Sequence, residues 1–340
     1  MIKEKYGDSD TATSPVILDL ENWMLDLPEE LQNLPIICLA IPGTHDSGSS
    51  SITRMSPIAP DSGPLVRRLG KIFGPIVKFL VYNWVVTQQT SLTEQLKYGI
   101  RYFDLRVATK KNCKELYFVH GLYGSEISSL LQEVRAFLDT HQGEVVILDF
   151  QHFYNFSIED HSQLVSLLDC VFNGMICPAI SDVKSISLSW MREKGFQVIV
   201  IYRDAAGQGF WPARRWPTPW PDTTSPQKML TFLTETLNRR PAGSGFVSQC
   251  VLTPNIKFVL CNPLSTLKKT CGEPCNRAVL PWIEKQCPGP AGINVIIADF
   301  VHAKGFPFTE TVILLNLRLL QNNRESEKTN YEMEIYSSEN

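Results

Sequence analysis

The sequence lacks a recognisable secretory signal, because residues 1–14 are polar and carry five charged side chains before any apolar run begins. It also lacks an apolar run near the roughly 20 residues that a membrane-spanning helix requires. A secreted or membrane-spanning protein is therefore not expected. The sequence predicts a cytoplasmic protein, with the nucleus as an open alternative.

The cysteines do not form the framework of a disulfide-bonded or zinc-binding protein. There are nine, an odd number, and they are scattered along the chain, which suits reduced thiols in the cytosol. The one cluster, Cys271, Cys275 and Cys287, matches no standard zinc spacing, and no nearby histidine supplies a fourth ligand. Structural thiols are the favoured interpretation of this cluster, and a zinc site is the alternative.

Neither sign of charge is in large excess, since 32 Lys and Arg residues stand against 35 Asp and Glu residues, for a net charge of −3. This balance gives no overall field that would attract nucleic acid, so no nucleic-acid partner is expected. No Gly-x-Gly-x-x-Gly motif or P-loop follows a predicted strand, so the usual signatures of nucleotide binding are missing.

Short β-rich runs alternate with longer helical patterns, which is typical of an α/β fold. Several of the β-rich runs are apolar on both faces, as in a parallel sheet covered on both sides. At this length a single-domain barrel is the favoured architecture, and an open doubly wound sheet is the alternative. Strands are predicted at 36–41, 99–107, 116–120, 145–150, 197–202, 246–252 and 294–300, and helices at 125–141, 160–172, 226–237, 276–286 and 308–320.

Three regions are predicted along the chain: a flexible amino-terminal segment at 1–22, the barrel at 23–322, and a polar, disordered tail at 323–340. Within the barrel, the segment 210–221 is rich in Trp, Pro and Arg, and it suits a site rim and a well-packed loop equally. The segment 64–84 places apolar side chains on one helical face and four cations on another. A helix covering the barrel is the favoured interpretation of this segment, and a membrane-surface helix is the alternative.

Polar side chains follow several of the predicted strands. In a parallel barrel the catalytic groups lie where strands end at the carboxyl face, so these residues are expected on one rim. Asp104 and Arg106 lie on the same side of one strand because their spacing is two, and they could form an ion pair there. The remaining candidates at strand ends are His45, Asp46, His120, Gln151, His152 and Asp299.

Two histidines with an arginine between them suit the cleavage of a phosphodiester. One imidazole can take a proton from the attacking oxygen while the other gives a proton to the leaving oxygen. An arginine can bind the equatorial oxygens of the transition state, since its guanidinium stays charged. A carboxylate beside a histidine fixes its tautomer and raises its basicity.

The motifs at 40–47, 99–106 and 116–121, followed by those at 144–150 and 292–300, resemble the X region of phosphatidylinositol-specific phospholipase C. The chain from about Trp23 to about Leu317 resembles the small X-domain-only phospholipase C-like proteins of animals. The resemblance implies an irregular TIM-like barrel that acts on a phosphoinositide at a membrane surface. It implies a two-step reaction that releases diacylglycerol and a cyclic inositol phosphate.

Carried over residue by residue, the resemblance implies that His45 is the general base and His120 the general acid. It implies that Asp46 supports one of the histidines, that Asp299 supports His45, and that Arg106 holds the phosphate. The substrate-binding residues predicted for this site are Asp104, Arg106, Gln151 and His152. His152 is included because it follows the fourth predicted strand, and a purely structural role is an equal alternative for it.

The family divides on calcium, which its larger eukaryotic members bind with an Asn and several acids at the positions of Asp46, Asp104, Arg106 and Gln151 in this sequence. Here Arg106 replaces an acid with a permanent cation, which would repel a calcium ion. The resemblance therefore implies no metal at the site and no cofactor, with calcium as the disfavoured alternative.

A barrel that binds inositol phospholipid with little turnover stays open as an alternative function. A glycerophosphodiesterase is a less favoured alternative. That family normally has an early His-Arg-Gly motif, whereas this sequence has Gly-Thr-His-Asp at 43–46.

Overall fold

A computed structural model describes residues 18–321 of the chain. The predictions for the amino-terminal segment before residue 18 and for the tail at 323–340 lie outside the described residues. Within this range, no helix is both long enough and apolar enough to cross a membrane.

A curled, mostly parallel sheet forms the centre of the molecule, and the prediction of a single-domain α/β barrel of irregular TIM type is confirmed. Its hydrogen-bonded order is β7-β6-β5-β2-β1-β9-β8, and a hairpin of β3 and β4 joins antiparallel to β2. Among the described strands no pairing joins β7 to β8, so the barrel is open there. The strands are β1 (Ile41–Thr44), β2 (Tyr102–Thr109), β3 (Leu116–His120), β4 (Leu122–Glu126), β5 (Val146–Tyr154), β6 (Val198–Tyr202), β7 (Trp211–Pro212), β8 (Val247–Cys250) and β9 (Val295–Ala298).

Most of the helices lie between the strands and pack on the outside of the sheet. Most begin at Ser, Asn or Pro residues that suit a helix start, and Ser91 and Ser157 each form a complete capping box. The helices are α1 (Trp23–Asp26), α2 (Glu29–Gln32), α3 (Pro64–Ile72), α4 (Gly74–Val85), α5 (Leu92–Lys97), α6 (Ile127–Thr140), α7 (Ile158–Phe172), α8 (Leu188–Lys194), α9 (Pro226–Leu237), α10 (Ile256–Cys261), α11 (Glu273–Ile283) and α12 (Phe308–Leu315).

The alternation of side chains along the strands divides most of the core into two large clusters. In β6, Val198 and Val200 pack toward the helices, whereas Ile199 and Ile201 pack inside the barrel. Trp23 of α1 joins the inner cluster from the amino ends of the strands and is fully buried. This end of the barrel is therefore plugged by apolar side chains, and the carboxyl ends of the strands are left to carry polar groups.

Three sequence predictions are corrected by the fold. The first strand is not at 36–41: Ile36–Cys38 forms a buried 3-10 turn, and the strand begins at Ile41. The strand Leu116–His120 is present but runs antiparallel. The segment 64–84 forms two helices, and its apolar side is exposed rather than packed on the barrel as favoured.

Candidate active site

His45 and Asp46 directly follow β1 and lie at the carboxyl end of the sheet. The backbone N–H of His45 donates to the carbonyl of Ala298 at 3.3 Å, which continues the pairing of β1 with β9 by one residue. Asp46 then adopts a left-handed backbone with φ of 44°, which is uncommon for a residue other than glycine. The N–H of Asp46 donates to Asp104 Oδ2 at 3.2 Å. This turn directs the side chains of both residues into the mouth of the barrel.

His45 lies between carboxylates on both of its ring nitrogens. Its Nδ1 is 2.8 Å from Asp299 Oδ1, and because a carboxylate only accepts, Nδ1 carries the hydrogen. Its Nε2 lies 3.2 Å from Asp46 Oδ2 and 3.2 Å from the NH2 nitrogen of Arg106. Burial alone would lower the pKa of His45, but Asp46 and Asp299 outweigh burial and raise the pKa to about 9.

Asp46 is the centre of the cluster and is fully buried. Its Oδ2 is 3.2 Å from Nε2 of His45 and 3.2 Å from Nε2 of His120, and its Oδ1 is 2.7 Å from Nε of Arg106. Burial opposes ionisation of Asp46, but the guanidinium of Arg106 and the two imidazoles prevail and lower its pKa. The expectation that Asp46 supports one histidine is therefore too narrow, since it contacts both.

His120 ends β3 and is held by a helix. Its Nδ1 lies 2.7 Å from the carbonyl of Val85, the last residue of α4, so Nδ1 donates and Nε2 faces the cluster. The ring centroids of His45 and His120 are 6.2 Å apart. The two histidines therefore present their Nε2 atoms to one shared space.

Asp104 and Arg106 form the base of this space, as their spacing on β2 predicts. The NH2 nitrogen of Arg106 lies 3.7 Å from Asp104 Oδ2. Burial raises the pKa of Asp104, while the nearby carboxylates of Asp46 and Asp104 raise the pKa of Arg106 against its own burial. Asp104 is only 2% exposed, so it orients Asp46 and Arg106 more directly than it could contact a substrate.

Gln151 and His152 lie farther along the same rim. The amide of Gln151 donates to Asp149 Oδ2 at 3.1 Å and to the hydroxyl of Tyr102 at 3.2 Å, so it belongs to a neighbouring network. His152 is exposed and stands opposite Arg106 across β2 and β5. Partial burial of the imidazole and the charge of Arg106 lower the pKa of His152.

Sequence reasoning missed Arg203, which pairs with Asp149. The guanidinium Nε and NH2 of Arg203 lie 2.8 Å and 2.6 Å from the two carboxylate oxygens. Arg203 directly follows β6, so the rule that polar residues at strand ends line the site could have found it. Asp149 raises the pKa of Arg203 despite burial, which keeps a second permanent cation in the barrel mouth.

Thr87 and Gln88 are also part of the site, although no pattern in the sequence marked them. The hydroxyl of Thr87 and the amide of Gln88 each donate to the carbonyl of His45 at 3.1 Å. Gln88 donates a second bond to the carbonyl of Ala298 at 2.8 Å. These bonds fix the backbone of the β1 turn from the side of α4.

The candidate zinc cysteines do not converge. Cys271 and Cys275 are buried, while Cys287 is exposed. The thiol of Cys275 contacts the carbonyl of Cys250 and the sulfur of Met229. Among the described residues, the one group of His, Cys, Asp and Glu whose ligand atoms lie within 4.8 Å of one another is His45, Asp46 and Asp104.

The chain resembles known proteins over most of its length. It is 41% identical to human PI-PLC X domain-containing protein 3 over 305 residues, which cover 88% of this chain and 94% of the relative. The chain belongs to the PI-PLC X domain-containing protein family. No family model matches the sequence.

Several solved structures share the fold of this chain. The phosphatidylinositol-specific phospholipase C of Staphylococcus aureus matches with a TM-score of 0.60 at 14% identity, covering 88% of this chain and 97% of that chain. The enzyme of the same name from Listeria monocytogenes matches with a TM-score of 0.56 at 18% identity, covering 88% and 98%. At this identity the likeness establishes the barrel architecture.

Proposed function

We propose that this PI-PLC X domain-containing protein is a phosphoric diester hydrolase of the phospholipase C type, with phosphatidylinositol or a related phosphodiester as its substrate. One observation carries the proposal: Nε2 of His45 and Nε2 of His120 both lie 3.2 Å from the same oxygen of Asp46, with Arg106 beside them. A general base, a general acid and a permanent cation thus share one space at the carboxyl end of the barrel.

The geometry supports a division of roles between the two histidines. Nδ1 of His45 is occupied by Asp299, so its neutral Nε2 takes the proton of the inositol 2-hydroxyl as that oxygen attacks phosphorus. Nε2 of His120 gives its proton to the glycerol oxygen as the phosphorus–oxygen bond breaks. Diacylglycerol and a cyclic inositol phosphate are the products. Water can then open the ring with the two proton transfers reversed.

Arg106 stabilises the charge that develops on the phosphate oxygens during attack. In the free protein its guanidinium neutralises Asp46 and lies 3.2 Å from Nε2 of His45. A phosphate that binds here replaces part of that contact with hydrogen bonds from the same planar fork. Asp104 stays behind the guanidinium and holds its orientation.

The residues at this site do not fit a calcium ion, so we propose a reaction without a resident metal or other cofactor. His45, Asp46 and Asp104 supply one nitrogen and two carboxylates, whereas calcium takes about six to eight oxygen ligands. Arg106 Nε already lies 2.7 Å from Asp46, where a metal would bind. A divalent cation would have to displace a permanent positive charge.

A binding protein with little turnover is the second candidate function. The observation that favours it is the pKa of His45, which at about 9 leaves the proposed base largely protonated near neutral pH. A protonated His45 beside Arg106 would bind a phosphate well but could not take the proton of the attacking hydroxyl. A phosphoinositide at a membrane surface is the proposed partner for both functions, and a cytoplasmic location stays a prediction from the sequence.

The deciding experiment measures release of inositol phosphate from phosphatidylinositol in mixed micelles, with and without a calcium chelator. We expect release that survives the chelator and disappears in His45→Ala and His120→Ala. His141→Ala is the matched control, since that imidazole stacks on Phe137 at the end of α6, away from the site. Release that the chelator abolishes would contradict the proposed role of Arg106. Binding without release would support the second candidate.

A further inference from the structure

A turn of one residue separates His120 from β4. The register of the two strands pairs His120 with Leu122, so Gly121 alone makes the turn, with φ of 69°. Gly121 is buried, and a buried backbone N–H or C=O requires a hydrogen-bond partner. The residues that bind these two groups therefore fix the backbone directly beside the proposed general acid.

The segment 59–62, which precedes α3, binds both groups, and we call it the turn clamp. The carboxylate oxygen Oδ2 of Asp61 accepts from the N–H of Gly121 at 2.6 Å. The hydroxyl of Ser62 donates to the carbonyl of Gly121 at 2.7 Å. The N–H of Ala59 donates to the same carbonyl at 3.0 Å. The peptide groups on both sides of Gly121 are therefore held by one short segment.

The turn clamp uses a charged side chain where a neutral one would be easier to bury. The other carboxylate oxygen of Asp61, Oδ1, is buried and has no hydrogen-bond partner in the part of the chain that the structure describes. Such an oxygen costs stability. In return, an ionised acceptor forms a shorter and stronger bond to an N–H than a neutral one does. The choice of Asp61 therefore favours a tight hold on Gly121 over stability.

The turn clamp complements the bond that holds the ring of His120. Nδ1 of this ring donates to the carbonyl of Val85 and sets the direction of the imidazole. The clamp sets the position of the backbone from which the imidazole extends. Nε2 of His120 lies 3.2 Å from Asp46 Oδ2, in the space shared by the two histidines. A displaced turn would therefore move Nε2 within that space, even with the bond to Val85 intact.

From these contacts we propose that Asp61 is a positioning residue for the proton transfer from His120 to the leaving oxygen. As the phosphorus–oxygen bond breaks, the proton on Nε2 of His120 passes to the alkoxide oxygen, which requires the two atoms to lie within hydrogen-bond reach. Asp61 acts through the N–H of Gly121 and exchanges no proton itself. The inference rests on the proposed function, in which His120 is the general acid.

The test compares two water-soluble inositol phosphodiesters that differ only in their leaving group. In inositol 1-(butyl phosphate) the leaving alkoxide needs a proton from the acid, whereas the 4-nitrophenolate of inositol 1-(4-nitrophenyl phosphate) leaves without one. Turnover of the nitrophenyl ester therefore reports the base, the cation and the fold. Turnover of the butyl ester depends on the acid as well. A general disturbance of the fold lowers both rates together.

We expect Asp61→Ala to lower kcat for the butyl ester about 10²-fold, because a displaced acid transfers its proton poorly. The kcat for the nitrophenyl ester should fall less than about fivefold, and KM should stay the same for both esters. Asp61→Asn keeps an oxygen that can accept from Gly121, without the charge, so its loss should be smaller. Ser62→Ala removes one of two donors to the carbonyl of Gly121 and should give a smaller loss with the same dependence on the leaving group.

A structural measurement and a matched control accompany the rates. In Asp61→Ala the amide hydrogen of Gly121 should exchange with solvent faster than in the parent, because its acceptor is lost. The matched control is Asp182→Ala, which removes the same kind of bond, from the N–H of Lys184 at 3.0 Å. Asp182 precedes a 3-10 turn between α7 and α8, on the chain before the amino end of β6, so both esters should be cleaved at the parental rate.

Equal losses of kcat for the two esters in Asp61→Ala would overturn the positioning role and leave the proposed function intact. So would equal losses in Asp61→Asn and Asp61→Ala, because the charge rather than the bond to Gly121 would then matter. An unchanged exchange rate of the Gly121 amide would overturn the turn clamp whether or not the protein turns over. A parent that cleaves neither ester would contradict the proposed function and, with it, the role of Asp61 in proton transfer.

Discussion

Nδ1 of His45 lies 2.8 Å from Oδ1 of Asp299, a residue that follows β9 and is 254 positions away in the sequence. The pair joins the first and last parallel strands of the barrel, which are neighbours in the sheet. The bond fixes the tautomer of His45 and leaves Nε2 to face Asp46 and Arg106. The basicity of His45 therefore depends partly on a residue that need not touch a substrate.

The variant Asp299→Asn should lower the pKa of His45 from about 9 toward its ordinary value near 6.5, because one of the two carboxylates that raise it is lost. Asn can still accept from Nδ1, so the ring stays in place. The value of kcat/KM should rise with pH as His45 loses its proton, and in the variant this rise should move to lower pH by about one unit or more. The value of kcat should fall about 10²-fold or more. Titration of the His45 ring proton by NMR checks the first effect and a pH profile the second. An unshifted profile would mean that Asp299 has no electrostatic role.

The raised pKa of His45 also makes stability depend on pH. A group whose pKa is higher in the folded than in the unfolded state stabilises the fold below its unfolded pKa, and that contribution is lost as the pH rises through the folded value. The loss should therefore run between about pH 6.5 and pH 9 and amount to about 3 kcal/mol. Urea unfolding at several pH values measures it.

In His45→Gln this part of the pH dependence should be absent. The difference in stability between the parent and this variant therefore gives the contribution of His45, separate from that of the buried cysteines. The lowered pKa of Asp46 acts in the opposite range, because its contribution is present above the unfolded pKa near 4 and is lost as the pH falls below it. A parent whose stability stays constant from pH 6.5 to pH 9 would contradict the environment of His45 described above.

The candidate site could be found from the sequence because it depends on strand ends. His45 directly follows β1, and Arg106 and His120 lie in β2 and β3, which are rich in apolar residues. Side-chain alternation places Asp104 and Arg106 together. The parallel arrangement then brings these ends to one rim. Asp299 could be included for the same reason, since it follows β9.

Other parts of the site and fold could not be predicted, because they depend on packing between distant segments. The bond from His120 to the carbonyl of Val85 involves a backbone atom whose position depends on the docking of α4. The segment 36–41 is apolar and buried as a strand would be, yet Ile36–Cys38 forms a 3-10 turn whose first N–H donates to Ile186. Apolar composition alone does not distinguish a buried turn from a buried strand.

At the amino end of the barrel, the ion pair of Arg101 with Glu144 should control stability without affecting the chemistry. Both side chains are fully buried, with Nε 2.8 Å from Oε2, and Glu144 also accepts from the N–H of Leu25. Glu144→Ala would leave Arg101 buried without its partner and should cost about 3 to 5 kcal/mol of unfolding free energy in urea. Asp139→Ala breaks the exposed pair with Arg135 and should cost less than about 1 kcal/mol.

Turnover per folded molecule should be unchanged in Glu144→Ala, since the ion pair lies at the end of the barrel opposite the histidines. Equal stability of Glu144→Ala and Asp139→Ala would show that the buried pair is worth no more than an exposed one. A drop in turnover per folded molecule would instead show that the contacts of α1 with this ion pair influence the active site.

The tight turn after His120 should be sensitive to a single added methyl group. Gly121 has φ of 69°, and a Cβ at this position would lie 2.5 Å from a methyl carbon of Val85. Gly121→Ala should therefore push β3 away from α4 and lengthen the bond that holds His120. A displacement of about 1 Å in a catalytic group can cost about 10² in rate. We expect a comparable loss of kcat toward a soluble substrate, with most of the fold kept.

Two further variants separate the collision from the backbone strain. Gly195→Ala carries a similar φ of 75° with no atom within 4 Å, so it should lose about 1 to 2 kcal/mol of stability and no activity. Val85→Ala in the Gly121→Ala background removes the methyl that collides and should restore much of kcat, while the backbone strain stays. If Gly121→Ala loses no more activity than Gly195→Ala, the contact between α4 and His120 does not position the proposed acid.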